Sequence, residues 1–179
     1  SKHFPGHGDT DVDSHKALPV LPFTRERLDS VELYPFRRVV RAGLGGIMVG
    51  HLEVPALEPQ KGVPSSLSRQ IVTGLLGGEL GFKGLVFTDA LAMRGVGNPG
   101  RLCLEALKAG DDLLLVPRAL GGELEVVWKA VRKGELPEAE INRKCRKVLL
   151  YKYALGLTRK PHVQLSGLES RLNTPHTRA

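Results

Sequence analysis

Cysteine, methionine, tryptophan and long apolar runs are all scarce in this 179-residue chain. The two cysteines, Cys103 and Cys145, cannot build a disulfide framework. Each falls within an apparent amphipathic helix, where a buried structural thiol is the default. No run of about 18 apolar residues occurs, so no transmembrane helix is expected. Aromatic residues make up only 5% of the chain, which leaves few stacking platforms for nucleic-acid bases. No established metal-ligand spacing occurs, and neither a metal nor a cofactor is expected. No signal peptide opens the chain. It starts without Met, so residue 1 is expected not to be the natural start, and a cytoplasmic or exported location both stay open.

The balance of charge is one-sided, with a formal net charge of +7. Its basic residues are spread along helices and the tail, as in Arg37, Arg38, Arg41, Arg143, Lys144, Arg146 and Lys147. That spread reads as solvated helix faces, and no nucleic-acid partner is expected. With 41% apolar and 25% charged residues, the chain has the composition of an ordinary globular domain with a real core.

The densest chemistry lies in the first fifteen residues, SKHFPGHGDTDVDSH. Pro5, Gly6 and Gly8 shape this stretch as a loop. Lys2, His3, His7 and His15 share it with Asp9, Asp11 and Asp13. Three readings stand: a solvated polar turn, a metal site, or an acid–base site. Asp13-Ser14-His15 sets a carboxylate two residues before an imidazole, where it can orient the ring and raise its basicity. Asp9 and Asp11 are read as ordering the loop through side-chain to backbone bonds.

Further along, three short branched apolar runs alternate with helical patterns. Gly46–Leu52, Gly84–Thr88 and Asp112–Pro117 are predicted strands, apolar on both faces. Helices are predicted from a Thr24 or Asp29 cap to about Ala42 with a break at Pro35, from Ser66 or Ser68 to about Glu79, over Arg101–Ala109, over Glu123–Lys133 and from Pro137 to about Leu155. Residues 158–179 read as a polar tail or linker. Strand–helix alternation of this kind means parallel βαβ units, in a doubly wound sheet or a (β/α)₈ barrel. With an initial strand ending near Phe4 there are four strands at most. A full barrel takes about 250 residues, so the fold class expected is α/β, half of a barrel. Asp89, at the C-terminal end of the second strand, is either a loop-ordering carboxylate or an active-site group. His51, at the end of the first, is either a structural histidine or a substrate contact.

KHFPGHGDTDVDSH as a whole resembles the signature of family-3 glycoside hydrolases, in the β-N-acetylglucosaminidase branch. GFKGLVFTDALAM is similar to that family's nucleophile strand, LEALKAGDDLLLVP to its last barrel strand, and INRKCRKVLLYKYALGL to its closing helix. The resemblance covers residues 1–157 and implies the C-terminal half of a TIM-type (β/α)₈ catalytic barrel. It further implies Asp89 as nucleophile, His15 as general acid/base with Asp13 as its dyad partner, and sugar contacts from Lys2 and His3, with His51 near the sugar site. Two departures concern the aglycone side: Ala92, where many members carry a polar residue, and the short loop from Gly95 to Gly100.

What the resemblance implies is retaining removal of terminal β-linked N-acetylglucosamine by a bacterial enzyme. The aglycone stays open between a muropeptide, a chitin oligomer and a protein glycan. A neutral histidine base also tolerates phosphate as acceptor, so hydrolysis and phosphorolysis both stand. The rival reading is a non-catalytic barrel piece kept for carbohydrate binding or scaffolding. In either case the partners expected are an N-acetylglucosamine-containing glycan, and the absent N-terminal half of the barrel or a second copy of the chain to cover the sheet edges.

Overall fold

The computed structural model describes residues 1–14, 16–97, 100–159, 165–172 and 174. Its centre is a parallel sheet of β1 (Gly46–Val49), β2 (Leu85–Ala90) and β3 (Leu113–Leu115), in the order β1-β2-β3. The N-terminal segment extends the sheet beyond β1. Phe4 N–H donates to the Met48 carbonyl at 2.8 Å, Gly50 N–H to Phe4 at 2.9 Å, and Met48 N–H to Ser1 at 2.9 Å. Four parallel segments therefore lie side by side in sequence order. A doubly wound sheet reverses that order at its switch point and a barrel does not, which separates the two architectures the strand–helix alternation leaves open.

One face of the sheet is closed by helices. Thr24 caps the first, accepting from Arg27 N–H, and α1 (Arg25–Arg27), a π-helical stretch (Leu28–Glu32) and α2 (Leu33–Arg41) run on without the expected break. Pro35 has no N–H and its ring crowds the carbonyl four residues back; the wider π-helical turn ahead of it relieves both constraints. A second π-helical segment, Gln70–Glu79, starts where Ser68 Oγ accepts from Ile71 N–H at 3.2 Å and ends before Gly81, whose φ of +69° suits a residue without Cβ. Ile47, Val49 and Val86 pack against Leu28, Phe36, Ile71 and Leu76 from these helices.

The opposite face differs from the sequence expectation. Burial alternates along β1, with Gly46 and Met48 only half-buried, and Phe87 and all of β3 are half-buried too. Met48, Phe87, Leu113 and Leu115 point into the concave side of an open arc, where no second layer covers them among the described residues, while Leu114 turns outward against Leu91, Val96 and Leu102.

On the far flank, α3 (Leu102–Ala109), α4 (Leu120–Arg132) and α5 (Glu138–Ala154) complete the units, with a short α6 (Leu168–Leu172) in the otherwise polar tail. Two readings of α5 are corrected here. Cys145 is exposed, whereas Cys103 is buried as expected. Lys144 and Lys147 are not solvated: Lys144 Nζ donates to the Asp111 carbonyl at 2.8 Å, and Lys147 Nζ to Asp112 Oδ2 at 2.5 Å. They anchor α5 under the start of β3, because the two aspartates entering that strand need donors that β2 supplies only once, through Val86 N–H.

Candidate active site

Lys2, His3, His7 and Asp13 from the start of the chain converge with Asp89 on the C-terminal edge of the sheet. Asp89 lies one residue before the end of β2, on the concave side with Phe87. Its Oδ1 accepts from Ala90 N–H at 2.8 Å, and its Oδ2 lies 3.7 Å from His3 Nε2. His3 comes from the edge segment on the far side of β1, after a cis Lys2–His3 peptide bond. Burial holds the His3 imidazole below its ordinary value, with Lys2 and His7 acting the same way and Asp89 opposing them. His3 therefore stands beside Asp89 as a neutral ring near pH 7.

The loop after Phe4 folds over this pair. A cleft of about 710 Å³ is lined by Lys2, His3, Asp13, Ser14 and Asp89, together with His7 and the loop backbone between them. Asp13 is half-exposed there, 4.0 Å from Lys16 Nζ, and its carbonyl accepts from Lys16 and Ala17 N–H. His15 lies outside the described residues. Gly95 seats the far end of the loop: a Cβ on it would lie 2.6 Å from the Ala17 carbonyl oxygen and 2.8 Å from that of Ser14. Gly6, with φ of +143°, does the same at the near end, pressed against Glu32.

Two residues to which the sequence reading gave no role, His7 and Arg27, belong to this site. His7 sets its ring edge-on to His3 with centroids 6.0 Å apart, and its nitrogens lie 3.3 Å from Ser14 Oγ and 3.4 Å from Thr10 Oγ1. Its place between two glycines was the available signal. Arg27 carried none. From eighteen residues away, its Nη2 donates to Asp9 Oδ2 at 3.2 Å and to Glu32 Oε1 at 3.0 Å. Asp9 is thus tied by an ion pair to the first helix, in place of the backbone turn expected of it.

His51 is not in the cleft. The ring is 1% exposed, Nδ1 lies 2.7 Å from Ser66 Oγ, and Nε2 lies 3.1 Å from the Ala90 carbonyl. Both nitrogens are engaged within the protein, behind Asp89. Among the described residues no three His, Cys, Asp or Glu side chains are grouped to hold a metal ion, and no helix is long and apolar enough to cross a membrane.

The model of the glycosyl hydrolase family 3 N-terminal domain matches residues 1–150. A β-hexosaminidase A from Pseudoalteromonas piscicida is 40% identical over 138 residues, which is 70% of this chain and 23% of that protein. A β-hexosaminidase from Idiomarina loihiensis is 34% identical over 87% of this chain and 46% of its own length. Among solved structures, a family-3 β-N-acetylglucosaminidase from Paenibacillus sp. superposes with a TM-score of 0.86 at 40% identity, over 92% of this chain and 32% of that one. The chain thus spans less than half the length of the relatives it matches. It belongs to glycoside hydrolase family 3, and its sheet is an arc of a TIM-type barrel.

Proposed function

We propose that the protein carrying this chain hydrolyses terminal β-linked N-acetylglucosamine with retention of configuration. The observation that carries the reading is the single cleft bordered by Asp89 from the strand end and by Lys2, His3 and Asp13 from the loop. Relatives are named β-hexosaminidases and a β-N-acetylglucosaminidase, which supports the same substrate class.

In the first step a carboxylate oxygen of Asp89 bonds to the anomeric carbon. The glycosidic bond breaks, and its oxygen takes the proton of imidazolium His15. In the second, the now neutral imidazole accepts a proton from water as the water oxygen attacks the same carbon and releases Asp89. Asp13 orients the His15 ring and favours its charged form. A neutral His3 suits this chemistry: it can donate to a sugar hydroxyl while leaving the Asp89 charge uncompensated for attack. Lys2 adds a second donor at the cleft.

The test is Asp89→Ala in the full-length gene product, with an aryl β-N-acetylglucosaminide as substrate. Turnover is expected to fall by on the order of 10³-fold or more, and an activated fluoro-sugar should label Asp89 covalently in the unmutated protein. Turnover near the unmutated level would overturn the assignment and leave the non-catalytic reading in its place.

A further inference from the structure

We infer that His51 is a positioning residue that holds Asp89 in its attacking orientation by clamping the backbone that follows it, with Ser66 fixing the tautomer that makes this possible. The inference rests on the proposed role of Asp89 and adds to it a residue that touches neither sugar nor proton.

The argument starts from the ladder of hydrogen bonds between β1 and β2. Backbone pairing between these strands ends at Val49 and Thr88. On the other side, the register between β2 and β3 shifts between Phe87 and Ala90. Such an irregularity interrupts the ladder and re-aims side chains, and it falls here on the segment that carries Asp89. The Ala90 carbonyl, one residue beyond the proposed nucleophile, has no donor from β1; Met93 N–H, in the turn that follows β2, reaches it at 3.0 Å.

His51 supplies the missing link from the β1 side. A carbonyl accepts only, so Nε2 carries the hydrogen and donates to Ala90 across 3.1 Å. Nδ1 is then an acceptor, and the Ser66 hydroxyl donates to it across 2.7 Å. Ser66 is itself fully buried on the 3₁₀ turn Ser65–Leu67, next to Ser65, whose hydroxyl and N–H both bond the Leu52 carbonyl. The turn, the chain after β1 and the end of β2 are thereby locked together.

The same peptide is gripped from its other side. Leu91 N–H donates to the Leu115 carbonyl at 2.9 Å, and Leu115 N–H to Thr88 Oγ1 at 3.0 Å. With both ends of the Ala90–Leu91 peptide held, Ala90 cannot swing, and its N–H stays aimed at Asp89 Oδ1. The carboxylate is fixed through its own backbone. His51 is the only one of these partners that reaches the site from β1, and burial keeps its ring neutral, so its grip does not vary with protonation near pH 7.

Without the His51 N–H, the Ala90 carbonyl keeps only the Met93 N–H of its own turn, its tie to the chain after β1 is lost, and the segment can turn. A displacement of about 1 Å at a nucleophile costs roughly 10²-fold in rate. The experiment is steady-state kinetics and fluoro-sugar trapping on the full-length gene product. His51→Ala is expected to lower kcat and the trapping rate by about 10²-fold, with KM within about 2-fold and the pH profile unmoved. His51→Gln places an amide N–H near the Nε2 position and should recover to within about 10-fold, the worth of one ordinary hydrogen bond. If His51→Ala does not fold, as judged by circular dichroism, Ser66→Ala decides, with an expected fall in kcat of about 3- to 10-fold. A kcat that survives in these variants while Asp89→Ala abolishes turnover would overturn the inference and leave the catalytic reading standing. A rise in KM with kcat unchanged would also overturn it, by making His51 a sugar contact. Survival of turnover in Asp89→Ala would sink the catalytic reading itself.

Discussion

Removing Arg27 is expected to destabilise the domain by about 2–4 kcal/mol, although it sits half in solvent, and the size follows from its three contacts. Its Nη2 bonds Glu32 Oε1, and the Glu32 side chain is only 7% exposed. The other Glu32 oxygen is buried with no hydrogen-bond partner among the described residues. Without the guanidinium the whole carboxylate is stranded, and a charge-assisted bond of this kind is worth about 1.5–3 kcal/mol. The guanidinium also lies over the Phe23 ring, 4.5 Å from its centroid, which adds about 0.5–1 kcal/mol. The Asp9 leg is weak by comparison: that side chain is 66% exposed, and such a pair contributes about 0.2–1 kcal/mol. Asp9→Ala should therefore cost less than about 1 kcal/mol. Arg27→Met combined with Glu32→Leu should recover most of the Arg27→Ala loss, because neither charge is then left alone. The assay is urea unfolding of the full-length gene product followed by circular dichroism, with the denaturant slope unchanged across variants. Equal costs for Arg27→Ala and Asp9→Ala, or an Arg27→Ala cost under about 1 kcal/mol, would show that Glu32 does not depend on Arg27.

Two further expectations follow from the same structure. Asp111 is fully buried, both its carboxylate oxygens lack hydrogen-bond partners among the described residues, and burial raises it well above the ordinary carboxylate range. A raised folded-state value means its contribution to stability is present below the unfolded value of about 3.9 and is lost as pH climbs through the folded value. Asp111→Asn should thus match the unmutated protein in thermal midpoint at pH 3 and exceed it increasingly as pH rises; a constant offset would refute the sign. The 179-residue chain by itself, with Met48, Phe87, Leu113 and Leu115 half-buried on its concave face, should elute from a sizing column as a dimer or larger species. It should also turn over an aryl N-acetylglucosaminide far more slowly than the full-length gene product. A monomer of full activity would show that this arc needs no cover.

The helix ends were legible because capping acts within a few residues. Thr24, Ser68 and Gly81 mark them in the sequence as they do in the fold. The parallel α/β class was legible for a similar reason, since strand–helix alternation is written along the chain. Pro35 misled because the rule for proline assumes a regular helix, and a π-helical turn changes the space available to its ring. Cys145 and Lys144 were misassigned because helical periodicity says that a face is apolar or polar but not which neighbour it meets.

The site divides in the same way. The run from Lys2 to Asp13 and the strand-end Asp89 stand out in the sequence, since titratable groups in a glycine-shaped loop and a carboxylate at a strand end are local features. That they share one cleft was decided by the parallel pairing of Phe4 with Val49 and of β1 with β2, which brings residues 3 and 89 together. Arg27 reaching Asp9, and His51 reaching Ser66 and Ala90 across 15 and 39 residues, depend on register, on an interrupted ladder and on burial. None of these has a period or a spacing along the chain. Sequence by itself determined which chemistry is present and which segments are strands and helices, because those follow from side-chain type and short-range geometry. Tertiary structure alone decided which groups face the cleft and which stand behind it, because that depends on contacts between segments far apart in the chain.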